Sequence, residues 1–460
     1  MEILLPRIVG SETEFAYRFK LHNNRVDILN DSVGQALVDG LPDDVIGYRP
    51  RRLSRKIDRF LENGARYYMD INGILEYATP ECLSFADVVN YEIAGEEYIA
   101  SHMGSDSVGS VIKEAVVFKR ASDHHQQENT LGSHENNFSA DLSVSRDFVH
   151  GKTAYELASH LITRSIFTGA GSTDYEGNFH KTQKLRNLNK DISQITTGEK
   201  PIVNTRNEPL SATGSRIHVV SGDPNISAWA SWMKFGTTSL TLRLIENGCF
   251  PDEALLSVND IVLFANAIGS TASLDTIVLT QKGEQVTALD IQDRIYEQCV
   301  KLGENLELPQ EEYAIIDQWG EVLQDLRTDP DKCLDRIDWL QNMYSINKTS
   351  DKYLRHKRDL GYTMIYPCMG FGAKLRRGGQ TRLAPTRQQL ADVKINAPKD
   401  TRASVRGEAV KTLTFTGKSA MINWDNIKVF TRNDTHLDFA MNDPYDNDKE
   451  RFHSWLGLLS

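Results

Sequence analysis

The stretch Asn63-Gly-Ala-Arg-Tyr-Tyr-Met-Asp-Ile-Asn-Gly-Ile-Leu-Glu-Tyr-Ala-Thr-Pro-Glu-Cys82 constrains this chain more than any other. In a strand, side chains two residues apart share a face. Arg66, Tyr68 and Asp70 therefore project together, while Tyr67 and Met69 face a core. A cation, a phenol and a carboxylate on one face are costly to bury without partners or a function. The bland alternative is a solvated face with an Arg–Asp pair. Gly10-Ser-Glu-Thr-Glu-Phe15 repeats the theme, since Glu12 and Glu14 also share a face. Like carboxylates repel unless they are exposed or bridged by cations, and glutamate clusters suit hard ions such as Mg²⁺ or Mn²⁺. Glu76 adds a third carboxylate if its strand pairs with the first. A charged edge strand is the competing reading.

Short β-type runs at 7–17, 65–77, 115–119, 202–205 and 217–221 mix with helical periodicity at 85–101, 155–168, 227–247 and 288–302. The mixture lacks a regular βαβ alternation, which predicts an α+β fold. Residues 370–387, rich in glycine and arginine, read as an exposed loop. A helix signal at 401–413 and strand signals at 420–430 predict a small C-terminal domain over 391–460, after a larger domain over 1–390.

The chain has 52 Lys+Arg against 63 Asp+Glu, a net charge of −11, with 40% hydrophobic and 25% charged residues. That is globular composition, and its acidity argues against nucleic acid as the main ligand. Cys82, Cys249, Cys299, Cys333 and Cys368 form no CxxC pair, which predicts free thiols in a reducing cytoplasm. No apolar run reaches the length of a membrane helix, and the N-terminus lacks a signal peptide's pattern.

Three look-alike motifs are set aside. His134-Glu-Asn-Asn-Phe138 lacks the second histidine of a zinc protease. Gly151-Lys-Thr153 has Arg146 where a P-loop needs glycine, and Thr168-Gly-Ala-Gly-Ser172 reads as a turn or helix cap. Arg216 and His218 share a strand face, with Arg206 nearby in sequence. Arginines opposite a carboxylate–metal cluster are what phosphoryl transfer needs. The alternatives are structural salt bridges and, for His218, a core imidazole.

These pieces resemble the family of the Pup ligase and the Pup deamidase/depupylase, carboxylate–amine ligases related to glutamine synthetase. The resemblance runs through GSETEF (10–15), NGARYYMD and EYATPEC (63–82), GSHENNF (132–138), TRSIFTGAG (163–171), PIVNTRNEP (201–209), RIHVVSGDPNIS (216–227), KFGTTSL and LIENG (234–248) and DTRASVRGE (400–408). It implies a curved, largely antiparallel sheet backed by helices, plus a small C-terminal domain. It also implies ATP and Mg²⁺ as cofactors. Glu12, Tyr68 and Glu76 would be metal ligands with Glu14 beside them, and Asp70 the catalytic aspartate. Arg66, Thr79 and Trp424 would contact ATP, with Arg206, Arg216 and His218 near phosphate or substrate.

The implied reaction activates a glutamate carboxylate as an acyl phosphate and joins it to an amine. The donor is then a small acidic Pup-like protein or another peptide ending in Glu or Gln, and the acceptor a lysine or other amine. Basic runs at 49–59 and 374–387 are the expected docking places for such a donor. The alternative is an amidase or isopeptidase of the depupylase type with nucleotide as cofactor. The family's deamidases carry a long insertion after the first strand. The 58 positions from Glu12 to Asp70 (70 − 12) leave no room for it and resemble the ligase spacing. In the other direction, Ser133-His-Glu-Asn136 is closer to the deamidase form. Ile74-Leu-Glu-Tyr77, Glu208-Pro-Leu210 and Tyr362-Thr-Met364 depart from the family pattern and put Pup itself as donor in question.

Overall fold

Strand β1 (Val9–Leu21) buries Phe15 and Phe19 on one face and carries Glu12 and Glu14 on the other. It is central and not an edge. The structure, a computed structural model, describes residues 3–22, 47–48, 58–70, 73–122, 130–149, 151–196, 198–430 and 435–457. The other main strands are β2 (Gly47–Tyr48), β3 (Asp58–Leu61), β4 (Arg66–Met69), β5 (Leu75–Ala78), β6 (Ile112–Phe118), β7 (Ser133–Ser139), β8 (Ser215–Val219) and β9 (Met364–Tyr366). They form one sheet in the order β8-β7-β1-β5-β4-β3-β2, with β6 pairing the far half of β1 and β9 pairing β6. Every pairing in it is antiparallel. The run at 65–77 is a hairpin instead of one strand. A turn closes it where Asp70 donates its N–H to the Ile74 carbonyl at 2.7 Å and Gly73 takes φ 75°.

One face of the sheet is covered by helices. Ser84 caps α1 (Phe85–Met103), accepting the Asp87 N–H, and α1 packs on β1. Behind lie α2 (Lys152–Thr163), α3 (Ala228–Glu246), α4 (Ala288–Asn305) and α5 (Gln310–Thr328). The helix expected over 155–168 starts three residues earlier and breaks at Arg164. Lys152, of the P-loop look-alike, opens it and pairs with Asp252 and Glu156. Gly171 sits in a turn at φ 68°. The helix expected over 227–247 is α3, but it carries polar residues all round and is buried along nearly its whole length, so no single apolar face is set apart by burial. The principal apolar core lies among these helices and the back of the sheet.

The segment 370–387 is a loop only over 378–386. It forms α6 (Phe371–Arg377), capped by Gly370, and then leads into α7 (Arg387–Ile395). Arg376 turns inward to Glu96 at 2.6 Å, and Arg382 binds Asp335 and Glu321 at 2.6 and 2.8 Å. Two of the cations expected to dock a donor are therefore consumed by the fold. In the other basic run, residues 49–57 lie outside the described residues.

Further on, α8 (Arg402–Thr416) packs with a three-stranded antiparallel sheet, β10 (Ala420–Ile422), β11 (Asn426–Phe430) and β12 (His436–Ala440). This unit has its own apolar cluster, into which Phe60 of β3 inserts. All five cysteines are free thiols, and no described helix is long and apolar enough to cross a membrane.

Candidate active site

Strand register gathers the charged residues on the sheet face away from the helices. Glu14 lies opposite Glu76, which lies opposite Tyr68; Glu12 lies opposite Ala78 on one side and His134 on the other. His218 lies opposite Asn136 and Arg216 opposite Phe138. Antiparallel partners point to the same face, so five strands contribute to one surface.

Two groups form on it. In the first, carboxylate oxygens of Glu14, Glu76 and Asp70 lie within 4.8 Å of one another. Glu14 and Glu76 are buried, whereas Asp70 is exposed at the end of β4. No cationic side chain among the described residues lies within ion-pair distance of any of the three. Burial, then the charges of Glu12 and Glu14, push the Glu76 carboxyl well above its ordinary range. Burial and Glu76 likewise raise the Tyr68 phenol. Three hard oxygen donors with no ion pair to a described cation have the chemistry of a Mg²⁺ or Mn²⁺ site.

In the second group, Glu12 Oε2 lies 3.2 Å from His134 Nδ1 and 3.4 Å from His218 Nε2. Asn136 Nδ2 and Arg216 Nη1 each donate to Glu12 Oε1 at 3.2 Å. Burial alone would raise this carboxyl, but His218, His134 and Arg216 outweigh it and hold Glu12 well below the usual range. Burial lowers both imidazoles and Glu12 opposes it, a shift toward the neutral form that coordinates metals. Arg216 also reaches Glu208 at 3.3 Å. Arg206 stays outside: it is half exposed and pairs with Glu208 at 3.1 Å.

Beside the second group opens a cleft whose empty volume, mouth included, is about 590 Å³. Glu12, Thr79, Glu81, Arg216, Arg402 and Trp424 are among the residues lining it. Thr79 Oγ1 accepts the Ser11 N–H at 2.9 Å. The Trp424 ring stands edge-on to Phe60, 5.1 Å between centroids, with the Arg406 guanidinium 4.6 Å over its face. Glu81 clamps this wall, binding Arg402 at 2.7 Å and also Arg406. Burial opposes ionisation, but Arg406 and Arg402 hold the Glu81 carboxyl down at about 2. Arg66 stacks over Tyr68 at 4.4 Å and pairs with Asp58.

Of the residues singled out from sequence, Glu14, Glu76, Asp70 and Tyr68 meet in one group; Glu12, Arg216 and His218 meet in the other. Thr79 and Trp424 line the cleft, and Arg66 flanks Tyr68. Sequence reasoning missed His134, Asn136, Gly132 and the Glu81–Arg402–Arg406 clamp. The alternation of Ser133–Ser139 does carry the signal, since it sends His134 and Asn136 to the face opposite Glu135. Glu135 goes to the back and pairs with Arg164, which is why His134-Glu135 cannot act together as in a zinc protease.

A family model described as Pup-ligase protein matches residues 7–428. A Pup–protein ligase of Acidimicrobium ferrooxidans is 28% identical over 429 residues, covering 89% of this chain and 92% of that protein. One from Mycobacterium ulcerans is 28% identical over 445 residues, covering 92% and 93%. Among solved structures, the complex between the prokaryotic ubiquitin-like protein Pup and its ligase PafA matches with a TM-score of 0.81. That match has 23% identity and covers 99% of this chain and 92% of the other. The Pup ligase PafA in complex with ADP matches with a TM-score of 0.75 and 25% identity, covering 87% and 90%.

Proposed function

The chain belongs to the Pup-ligase protein family, whose members are carboxylate–amine ligases, and on that premise we propose that it uses ATP to join a glutamate side-chain carboxylate to an amine. The observation that carries the reading is the carboxylate trio Glu14, Glu76 and Asp70, without an ion-paired cation among the described residues, on a sheet face beside an open cleft. Relatives named for Pup and a neighbour bound to Pup support a small Pup-like protein as donor. A neighbour bound to ADP supports nucleotide in the cleft. The amidase reading is not favoured, because the family and its relatives are ligases.

In this reading Glu14, Glu76 and Tyr68 hold one Mg²⁺, and Glu12 with its two imidazoles offers one oxygen and two nitrogens to a second. Bound there, Mg·ATP supplies the phosphoryl group that makes an unreactive carboxylate an acylating agent. Trp424 and Thr79 orient the nucleotide from the cleft wall. Arg216, already desolvated against Glu12, presents positive charge where negative charge develops. Asp70, exposed at the tip of β4, accepts the proton that the amine gives up as the C–N bond forms. Free thiols fit a cytoplasmic setting for the same chemistry. The division near residue 390 belongs to this reading too, with the C-terminal unit closing the nucleotide side.

The test is incubation with ATP, Mg²⁺, a glutamate-ending acidic polypeptide and a lysine-bearing acceptor. One ADP released per new isopeptide bond is expected. Amide cleavage without net ATP turnover would sink the ligase reading.

A further inference from the structure

Gly132 lies between the two ligand groups and belongs to neither. The ladder between β1 and β7 changes character there. Glu14 donates its backbone N–H to the Gly132 carbonyl at 3.0 Å, as an antiparallel pair should. The return bond, however, goes from the Gly132 N–H to the Glu14 side-chain Oε2 at 2.5 Å, not to the backbone. A backbone amide thus fixes the rotamer of a carboxylate in the Glu14–Glu76–Asp70 group. The same residue borders the other group. A Cβ at position 132 would stand 2.5 Å from His134 Nε2 and 3.1 Å from the Glu14 carboxyl carbon. Its backbone does not take the left-handed conformation, so only this close approach excludes a side chain.

We propose that Gly132 is a positioning residue that sets the gap between the two divalent-ion ligand groups, by holding Glu14 through its amide and by leaving room for the His134 ring. The proposal rests on the ligand reading given above. A methyl group here meets the free end of a side chain on the cleft side, His134 being about 15% exposed. The imidazole swings aside, and Glu14 loses its alignment with Glu76 and Asp70. The fold behind the sheet is untouched.

The test uses the full chain and ADP titrated with and without Mn²⁺, alongside thermal unfolding. Gly132→Ala is expected to weaken Mn²⁺-dependent ADP binding roughly 10- to 100-fold, the range seen when support for metal ligands is removed. Its unfolding midpoint and its metal-free ADP binding should stay those of the wild type. In a His134→Ala background the added methyl has space, so Gly132→Ala should cost less than about twofold more, a non-additivity expected of residues in contact. Wild-type Mn²⁺ dependence with unchanged affinity in Gly132→Ala overturns the positioning role alone. So does a midpoint that falls in step with affinity, or a full additional loss in the His134→Ala background. Absence of any Mn²⁺-dependent ADP binding in the wild type overturns the ligand reading beneath it.

Discussion

Both faces of the central sheet carry charged side chains but treat them differently. On the helix side Lys119 binds Glu92 and Glu96 at 3.2 and 2.8 Å, and Arg376 completes the set on Glu96 at 2.6 Å. Thr13 adds its hydroxyl to Glu92 at 3.2 Å. One layer over, Arg164 binds both oxygens of Glu135, donates to the Lys234 carbonyl at 2.8 Å, and also reaches Thr238. Two carboxylates meet two cations, and a third meets an arginine that is also held by a carbonyl and a hydroxyl. On the open face no cation among the described residues forms an ion pair with Glu14, Glu76 or Asp70, and the buried Lys184 acts on Glu14 only from beyond that distance. Buried charge that is balanced within the chain is structural. Buried charge left unbalanced needs a partner from outside, and that difference separates a scaffold from a site.

Substitutions can break this contrast. The largest expected effect is Asp70→Asn on the open face, which should lower turnover about 10²- to 10⁴-fold, as loss of a general base does. Metal-free ADP affinity and the unfolding midpoint should hardly move. Retained ligation in that variant removes Asp70 from the chemistry.

Next, Arg164→Met on the helix side strands Glu135 in the interior and should destabilise by about 3–5 kcal/mol in urea unfolding. A loss of activity with stability intact would mean that the helix-side network is part of the site.

Glu81→Gln tests the clamp between the sheet and the C-terminal unit. The folded protein holds this carboxyl at about 2 against an ordinary 4.5, a gap corresponding to about 3 kcal/mol. A depressed carboxyl stabilises above its unfolded value, and this contribution fades as pH falls from 4.5 toward 2. Wild type should thus exceed Glu81→Gln in stability at neutral pH, and the two should converge in acid. A constant difference across that range would point to lost packing instead of lost charge.

The smallest effect is Glu76→Ala, expected to weaken Mg²⁺-dependent ADP binding about 10- to 100-fold, or roughly 1.4–2.7 kcal/mol. Unchanged affinity by calorimetry would take Glu76 out of the ligand set.

Much of this was legible in the chain because strand alternation is local. Two-residue spacing put Glu12 with Glu14, Arg66 with Tyr68 and Arg216 with His218, and it separated Tyr67 for the core. The family motifs span the chain in order and carry the α+β, antiparallel fold, which the likeness to the PafA structures bears out. What the alternation could not supply was register between strands distant in sequence. That Glu76 stands beside Glu14, and that His134 reaches Glu12 across 122 positions, depends on backbone pairing set by the whole sheet. The same limit explains the misread arginines. A guanidinium in a glycine-rich stretch looks solvated until the fold brings Glu96, 280 positions away in sequence, within reach. Residue types and local periodicity determine which groups a strand can present. Only tertiary structure decides which of those groups already have a counter-charge, because Coulomb partners and burial are properties of space and not of sequence spacing.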